Sequence, residues 1–230
     1  MREIMDFGRL RQLAREHGLD QVLDEPALAE LRLLEASKGE IICAKGERPE
    51  RFYILVEGKL KIYTTLPNGK SLLLRFSTPP ALVGDLELVN GKEAKNTVES
   101  VNKSLLLGVS YRYLQNTYAD NPKFLHFMLS HVTHKLYTFS NLSSLNLLYP
   151  VESRFASYLL STMEQGEQVT EEIQTSKLTE LADMLGTSYR HLNRVIHDLC
   201  DRQIIRKEQR KIVICNLEEL REIAGGNMYE

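Results

Sequence analysis

Apolar residues along the first half of the chain change their period. From Met5 to His17 they fall at Met5, Leu10, Leu13 and Ala14, the spacing of one face of a short helix. From Leu31 they gather into short runs divided by turn residues. LRLLEA precedes Lys38-Gly39, IICA precedes Lys45-Gly46, and RFYILV precedes Glu57-Gly58. KLKIYTTL precedes Pro67-Asn68-Gly69-Lys70, and SLLLRF and KSLLLGV follow. Each run reads as a strand. Asn68-Gly69 between two of them predicts a hairpin closed by a type I′ turn, whose two central residues both take positive φ. No helical stretch of useful length interrupts the series, so the strands are expected to pair antiparallel and close on themselves. The expected fold class is α+β, with an N-terminal antiparallel β-roll (jelly roll) over about residues 31–110.

After Ser110 the pattern becomes helical. Between Pro122 and Pro150 the residues Leu125, Leu129, Val132, Leu136 and Phe139 follow alternating steps of four and three, the seam of a two-helix coiled coil, which then passes through Ser143 and Asn146. A strict heptad stripe is narrower than a helix needs to pack on its own domain, so this helix is predicted to dimerise with a second copy. His126, His131 and His134 on it read as ordinary solvent or interface side chains. Pro150 opens another amphipathic helix, VESRFASYLLSTME, which Gly166 is expected to end. The expected domains are residues 1–121, the dimerisation helix 122–149, and a C-terminal domain 150–230.

Within that C-terminal domain, Lys177 to Arg202 have the pattern of a helix-turn-helix. Leu178, Leu181, Ala182 and Leu185 mark a one-sided helix, Gly186 supplies the turn, and Ser188 is a good N-cap for a second helix whose buried stripe is Leu192, Val195, Ile196 and Leu199. The opposite face of that helix carries Tyr189, Arg190, Asn193, Arg194 and His197. Arginine can pair with both acceptors of guanine and asparagine with adenine, while tyrosine and histidine suit phosphates or a thymine methyl. Ile204-Ile205 and Ile212-Val213-Ile214 flank a basic hairpin tip with Arg206, Lys207, Arg210 and Lys211, the expected wing. Any one of these elements also fits a small structural core with a solvated charged face. Their conjunction favours DNA binding.

Overall charge does not announce this, because the net charge is -2. From Gly186 to Cys215, however, seven Lys/Arg stand against three Asp/Glu, a local +4 suited to phosphates. A hydrophobic content of 43% and a charged content of 26% are ordinary for a globular chain. No stretch approaches the roughly 20 apolar residues of a membrane span, and the charged N-terminus lacks the apolar centre of a signal peptide, so a cytoplasmic location is expected. Cys43, Cys200 and Cys215 are far apart and odd in number. They are read as reduced, mostly buried thiols, with neither a disulfide framework nor a metal knuckle. Metal-dependent chemistry inside a β-roll ordinarily needs several histidines, and none lies between His17 and His126. No P-loop, GxGxxG or Ser/His/Asp order appears either, so the chain is not read as an enzyme. The competing reading is a ligand-sensing regulatory module whose C-terminal helices bind protein rather than DNA.

The stretch GEIICAKGERPERFYILVEGKLKIYTTLPNGK, residues 39–70, and GTSYRHLNRVIHDL, residues 186–199, resemble the Crp/Fnr superfamily of transcriptional regulators, the second most of all its YeiL-type members. The resemblance spans nearly the whole chain, with a cyclic-nucleotide-binding-type roll first and a winged helix-turn-helix last. It implies a homodimer on a near-palindromic DNA site that also touches RNA polymerase. By the same resemblance Arg194 matches the family's recognition-helix arginine, while Tyr189 and Arg190 replace its usual Arg-Glu pair. The candidate effector pocket lies at Gly84, Asp85, Leu86, Lys95 and Asn96. Cyclic-nucleotide binders of the family carry there a glutamate for the ribose and an arginine for the cyclic phosphate. Here the arginine is absent, and Lys95 offers a point charge without the planar fork that suits a phosphate. Cyclic AMP is therefore not expected. The iron–sulfur cluster of the family's oxygen sensors is not expected either, because no cysteine precedes residue 43. Haem would have to rely on Cys43 and the helix histidines. No cofactor is predicted, and a small organic effector, a redox-active thiol or no effector at all are the alternatives left.

Overall fold

The computed structural model describes residues 1–163, 178–208 and 211–229. The chain divides into two compact units, Met1–Thr64 with Phe76–Thr138, and Thr65–Arg75 with Phe139–Glu230. In chain order the elements are β1 (Arg2–Ile4), α1 (Phe7–Glu16), a 3₁₀ turn (Leu19–Gln21), α2 (Glu25–Glu30), β2 (Arg32–Ala36), β3 (Ile41–Cys43), β4 (Arg51–Glu57), β5 (Leu60–Thr65) and β6 (Ser71–Ser77). There follow β7 (Ala81–Val83), α3 (Asp85–Asn90), β8 (Thr97–Ser100), β9 (Ser104–Ser110), α4 (Tyr111–Thr117) and α5 (Pro122–Leu148). The last elements are α6 (Val151–Thr162), α7 (Leu178–Met184), α8 (Tyr189–Asp201), β10 (Ile205–Glu208), β11 (Lys211–Ile214) and α9 (Leu217–Ala224). This is the expected α+β order of antiparallel roll, long helix and winged C-terminal helices. Residue 166, where α6 was expected to end, lies outside the described residues.

Five strands pair in the order β1-β2-β9-β4-β7 and four in the order β3-β8-β5-β6. The centre of the first sheet is the antiparallel pair β4·β9, in register from Arg51↔Ser110 to Leu55↔Leu106. Side chains alternate across a strand. Phe52, Ile54 and Val56 therefore join Leu105, Leu107 and Val109 in one core with Leu13, Leu114, Phe124 and Met128 from α1, α4 and α5. Tyr53, Leu55, Leu106 and Leu34, on the opposite face, are buried as well. Sequestration on both faces is why RFYILV and SLLLGV read as continuous apolar runs, not as alternating ones. At full burial each such side chain contributes about 1.5–3 kcal/mol.

The hairpin at Asn68-Gly69 forms, but not with the expected turn. Gly69 takes φ +80°, whereas Gln203 is the one non-glycine residue with positive φ among the described residues, so Asn68 does not adopt the conformation a type I′ turn requires. The Gly69 amide donates to the Leu66 carbonyl and the Leu66 amide to the Lys70 carbonyl, closing a three-residue loop. Proline is the cause. Its fixed φ suits the second position of an ordinary β-turn, and it has no N–H to give to a strand ladder, so Pro67 joins the loop and widens it by one residue.

Along α5, Phe124 and Met128 face the core, whereas Leu125, Leu129, Leu136 and Phe139 are 47%, 63%, 68% and 52% exposed. In the other unit α6 packs on α8 and α9. Its face is built from Ser153, Ser157 and Ser161, all buried, and the hydroxyls of Ser157 and Ser161 donate to the carbonyls four residues back. Tyr229 is fully buried beside it, its amide donating to Ser161 Oγ at 2.7 Å and its hydroxyl to Asn146 Oδ1 at 2.9 Å. Asn146 thus serves its own chain's C-terminus where the heptad stripe would have continued. Among the described residues no helix is long and apolar enough to cross a membrane.

Two glycines of the roll separate backbone strain from crowding. At Gly58, φ +91°, a Cβ would stand 2.7 Å from Ser104 Cα, while at Gly39, φ +79°, nothing lies within 4 Å. Gly39→Ala is expected to lower stability by about 1 kcal/mol through its left-handed backbone alone. Gly58→Ala should cost about 2–4 kcal/mol, because overpacking adds about 1–3 kcal/mol. Equal denaturant midpoints for the two variants would contradict this.

Candidate nucleic-acid interface

The turn between α7 and α8 is set by glycine chemistry. Gly186, φ +63°, follows the last residue of a helix end at which the Thr187 amide donates to the Ala182 carbonyl and the Gly186 amide to the Asp183 carbonyl. This double bond pattern stops the helix and reverses the chain. Ser188 then caps α8, its hydroxyl oxygen accepting the His191 amide at 3.2 Å. Leu178, Leu181, Ala182 and Leu185 are buried, as are Leu192, Val195, Ile196 and Leu199, so both apolar stripes lie inward as the sequence pattern predicts. The lead residue Lys177 lies outside the described residues.

The outward face of α8 presents Tyr189, Arg190, Arg194 and His197 exposed and Asn193 half-buried. Among the described residues neither Arg190 nor Arg194 has an acidic partner; the ion pairs at this end of the chain belong to Arg202 and Arg206, with Lys70 reaching Asp183 at 3.8 Å. Two uncommitted guanidinium groups beside amide, phenol and imidazole groups make a surface able to meet phosphate oxygens and base edges.

The basic patch counted from the sequence is smaller in space. Arg202 Nη1 lies 2.6 Å from Glu152 of α6 and 3.4 Å from Asp198, and its Nη2 lies 3.2 Å from Glu219 of α9. It is a clamp between helices and not a free cation. In the wing, β10 and β11 pair from Ile205↔Ile214 to Glu208↔Lys211. Arg206 Nη2 lies 2.7 Å from Glu208, two residues along the same face. Lys207 and Lys211 are exposed, whereas Arg210 lies outside the described residues.

Arg154 is a residue the pattern did not mark. Its Nη1 donates to the Leu185 carbonyl at the C-terminal end of α7, and the same nitrogen would stand 3.2 Å from a Cβ on Gly186. A cation there meets the negative end of the helix dipole. The sole local signal for either clamp is the i,i+4 pair Asp198–Arg202; nothing in the sequence joins Arg154 to residue 185.

The residues expected to form an effector pocket differ in their surroundings. Gly84, φ +87°, accepts the Tyr111 hydroxyl on its carbonyl at 2.6 Å. Asp85 is 3% exposed and lies 2.6 Å from Lys135 Nζ of α5. Leu86 and Lys95 are exposed and Asn96 is half-buried, and among the described residues no hydrogen bond joins Asp85 to Lys95 or Asn96. The thiols are not mostly buried, contrary to expectation: Cys43 is buried, Cys200 intermediate and Cys215 exposed. Cys43 lies inside the roll, where burial, aided by Glu87 and Glu47, pushes its thiol up to about 11. Such a thiol is hardly ionised at neutral pH.

A roll followed by a long helix and a capped helix-glycine-helix with a β-wing defines a DNA-binding transcriptional regulator. The profile of the cyclic nucleotide-binding domain matches residues 33–121, and that of the Crp-like helix-turn-helix domain matches residues 153–223. Regulatory protein YeiL of Escherichia coli O157:H7 is 26% identical over 198 residues, covering 85% of this chain and 87% of that protein. The CRP-like cAMP-activated global transcriptional regulator of Mycobacterium tuberculosis H37Rv is 26% identical over 215 residues, covering 88% of this chain and 94% of its own length. Among solved structures, a regulator of the Crp/Fnr family from Eubacterium rectale superposes with a TM-score of 0.79 at 15% identity, covering 90% of this chain and 98% of that one. The chain belongs to the Crp/Fnr family of transcriptional regulators.

Arg202→Ala is expected to lower the stability of the C-terminal helices by about 1 kcal/mol while leaving the salt dependence of DNA binding unchanged, because the side chain is committed to carboxylates. Lys207→Ala should reverse that outcome, lowering the slope of log affinity against log salt by about 1 with no change in stability. Titrations at several salt concentrations distinguish the two.

Proposed function

We propose that the chain is a sequence-specific DNA-binding regulator that acts as a homodimer on a near-palindromic site. Tyr189, Arg190, Asn193, Arg194 and His197 face the bases, and Ser188, Arg206, Lys207, Arg210 and Lys211 serve the backbone. The observation that carries this reading is the exposed face of α8, where Arg190 and Arg194 stand with no acidic partner among the described residues. A solvated structural helix gains nothing from two such cations at the start of a capped helix, whereas a phosphate surface is attracted to both. Tyr189 and Arg190 differ from the family's usual pair, so the half-site is expected to differ from the family consensus. The fold supports a regulator in the cytoplasm rather than an enzyme, with RNA polymerase as a partner by family resemblance.

The homodimer reading rests on α5. Leu125, Leu129, Leu136 and Phe139 form a line that this chain leaves 47–68% exposed, with Val132 half-exposed between them. Covering the exposed half of these four side chains at about half of the 1.5–3 kcal/mol of full burial, twice over in a symmetric pair, contributes about 6–12 kcal/mol, comparable to the roughly 4–15 kcal/mol cost of association. Several relatives are named as cAMP-activated. Lys95 stands here where an arginine fork would hold a cyclic phosphate, so cyclic AMP is not proposed as the effector.

Arg194→Ala is expected to weaken binding to the specific site by about 1–3 kcal/mol, measured by fluorescence anisotropy on a fragment from the gene's own upstream region. Failure of the wild type to retain that fragment at low salt, with Arg194→Ala no different, would favour the protein-binding module instead. In sedimentation, Leu129→Glu should turn a dimer into a monomer, since two glutamates would face each other in the seam. An unchanged dimer would remove α5 as the interface.

A further inference from the structure

The heptad stripe of α5 has a flank, and Lys135 stands on it, one residue before Leu136. Side chains at that position of a coiled coil ordinarily lie beside the partner helix and make charge pairs with it. Lys135 instead turns into its own roll. Its ammonium donates to Asp85 Oδ1 at 2.6 Å and to the Leu82 carbonyl at 2.8 Å, and its side chain is 17% exposed. Asp85 opens α3 directly after Gly84, the turn at which the sequence marks an effector, and it is 3% exposed. Its second oxygen, Oδ2, has no hydrogen-bond partner among the described residues.

A carboxylate this deep is tolerated only with a counter-charge, and loss of one partner leaves an uncompensated buried ion. The pair therefore ties the β7–α3 turn to the middle of α5 with a strength that neither element supplies alone. Any small molecule that used Asp85 would first have to displace a covalently held ammonium 2.6 Å away, whose local concentration is fixed by the helix that carries it. We propose that Lys135 is the built-in occupant of this acidic turn, holding α5 in its DNA-binding arrangement with no small molecule in the roll. The proposal rests on the DNA-binding reading above and specifies its regulation: the regulator is active as synthesised, and Lys135 is a positioning residue.

The test uses the full chain and a labelled upstream DNA fragment, without additive and with 1 mM cyclic AMP. Wild type should bind unaided, and cyclic AMP should change its affinity less than about twofold. Lys135→Met keeps the aliphatic stem and removes the charge; it should weaken specific binding by about tenfold and lower the melting temperature, since a buried charge is left unpaired. The double variant Asp85→Asn with Lys135→Met removes that charge, so its melting temperature should recover while its DNA affinity stays low and hydrogen exchange over residues 131–138 stays fast. A double variant that folds and binds as tightly as wild type overturns the proposal alone, as does a tenfold gain of wild-type affinity on adding cyclic AMP. Wild type that retains no fragment overturns the DNA-binding reading, and this proposal with it.

Discussion

The pairing of β4 with β9 sets the terms for the first unit, because both strands are covered on both faces and flanked in their sheet by β2 and β7. A strand pair with two buried faces has almost no tolerance for a register slip, since a shift of one residue would exchange Phe52, Ile54 and Val56 for Tyr53 and Leu55. Gly108 records how tightly the pair is enclosed: a Cβ there would stand 2.8 Å from Leu34 Cδ1 and 3.2 Å from the Tyr53 ring. The same enclosure recruits helices. α1, α4 and the first turns of α5 supply Leu10, Leu13, Leu114, Phe124 and Met128 to one face, so α5 is anchored at its start while its outer stripe is left for another surface.

What could be read from the sequence follows from the range over which each signal acts. The runs that became β2 to β6 and β9 are local, as are the αL glycine after α7, the Ser188 cap and the two apolar stripes of the helix-turn-helix, and all of these were legible. β1, β7 and β8 are three or four residues long and, unlike the equally short β3, are not set between two glycine turns, and α3 is a six-residue turn of helix between strands. The turn at Pro67 was misread because the dipeptide rule for Asn-Gly ignores the proline before it. Side-chain pairings across long separations left no mark at all. Lys135 meets Asp85 fifty residues away, and Arg202 meets Glu152 at the same separation.

Those hidden pairings change the electrostatic reading more than the fold. A sequence count sets seven cations of the segment from Gly186 to Cys215 against its own three acids, +4, and does not see Glu152 and Glu219 reaching in from outside it. In space Arg202 serves three carboxylates and Arg206 one, so among the described residues the uncompensated charge contracts to Arg190 and Arg194 on α8 and the exposed lysines of the wing. The field is smaller than the count implies but more sharply placed, centred on the helix face that carries Tyr189 and Asn193. Screening at physiological salt acts over about 8 Å, so placement matters more than total charge.

The two clamps on α8 share an origin. Glu152 and Arg154 both lie in the first turn of α6, immediately after Pro150. Glu152 takes Arg202, the residue that closes the recognition helix, while Arg154 takes the Leu185 carbonyl at the end of α7, four residues before the recognition helix begins. A helix of 13 residues, about 20 Å long, is thus gripped at its C-terminal end directly and at its start through the turn that leads into it, both from a single turn of another helix. Arg154 Nε is buried without a partner among the described residues, a cost of about 1–3 kcal/mol that the guanidinium partly offsets at the negative end of α7. Two grips set an axis, whereas one would leave a pivot. Because base contacts require hydrogen-bond geometry at several points along that axis together, the first turn of α6 fixes the aim of Arg190 and Arg194 without touching nucleic acid itself.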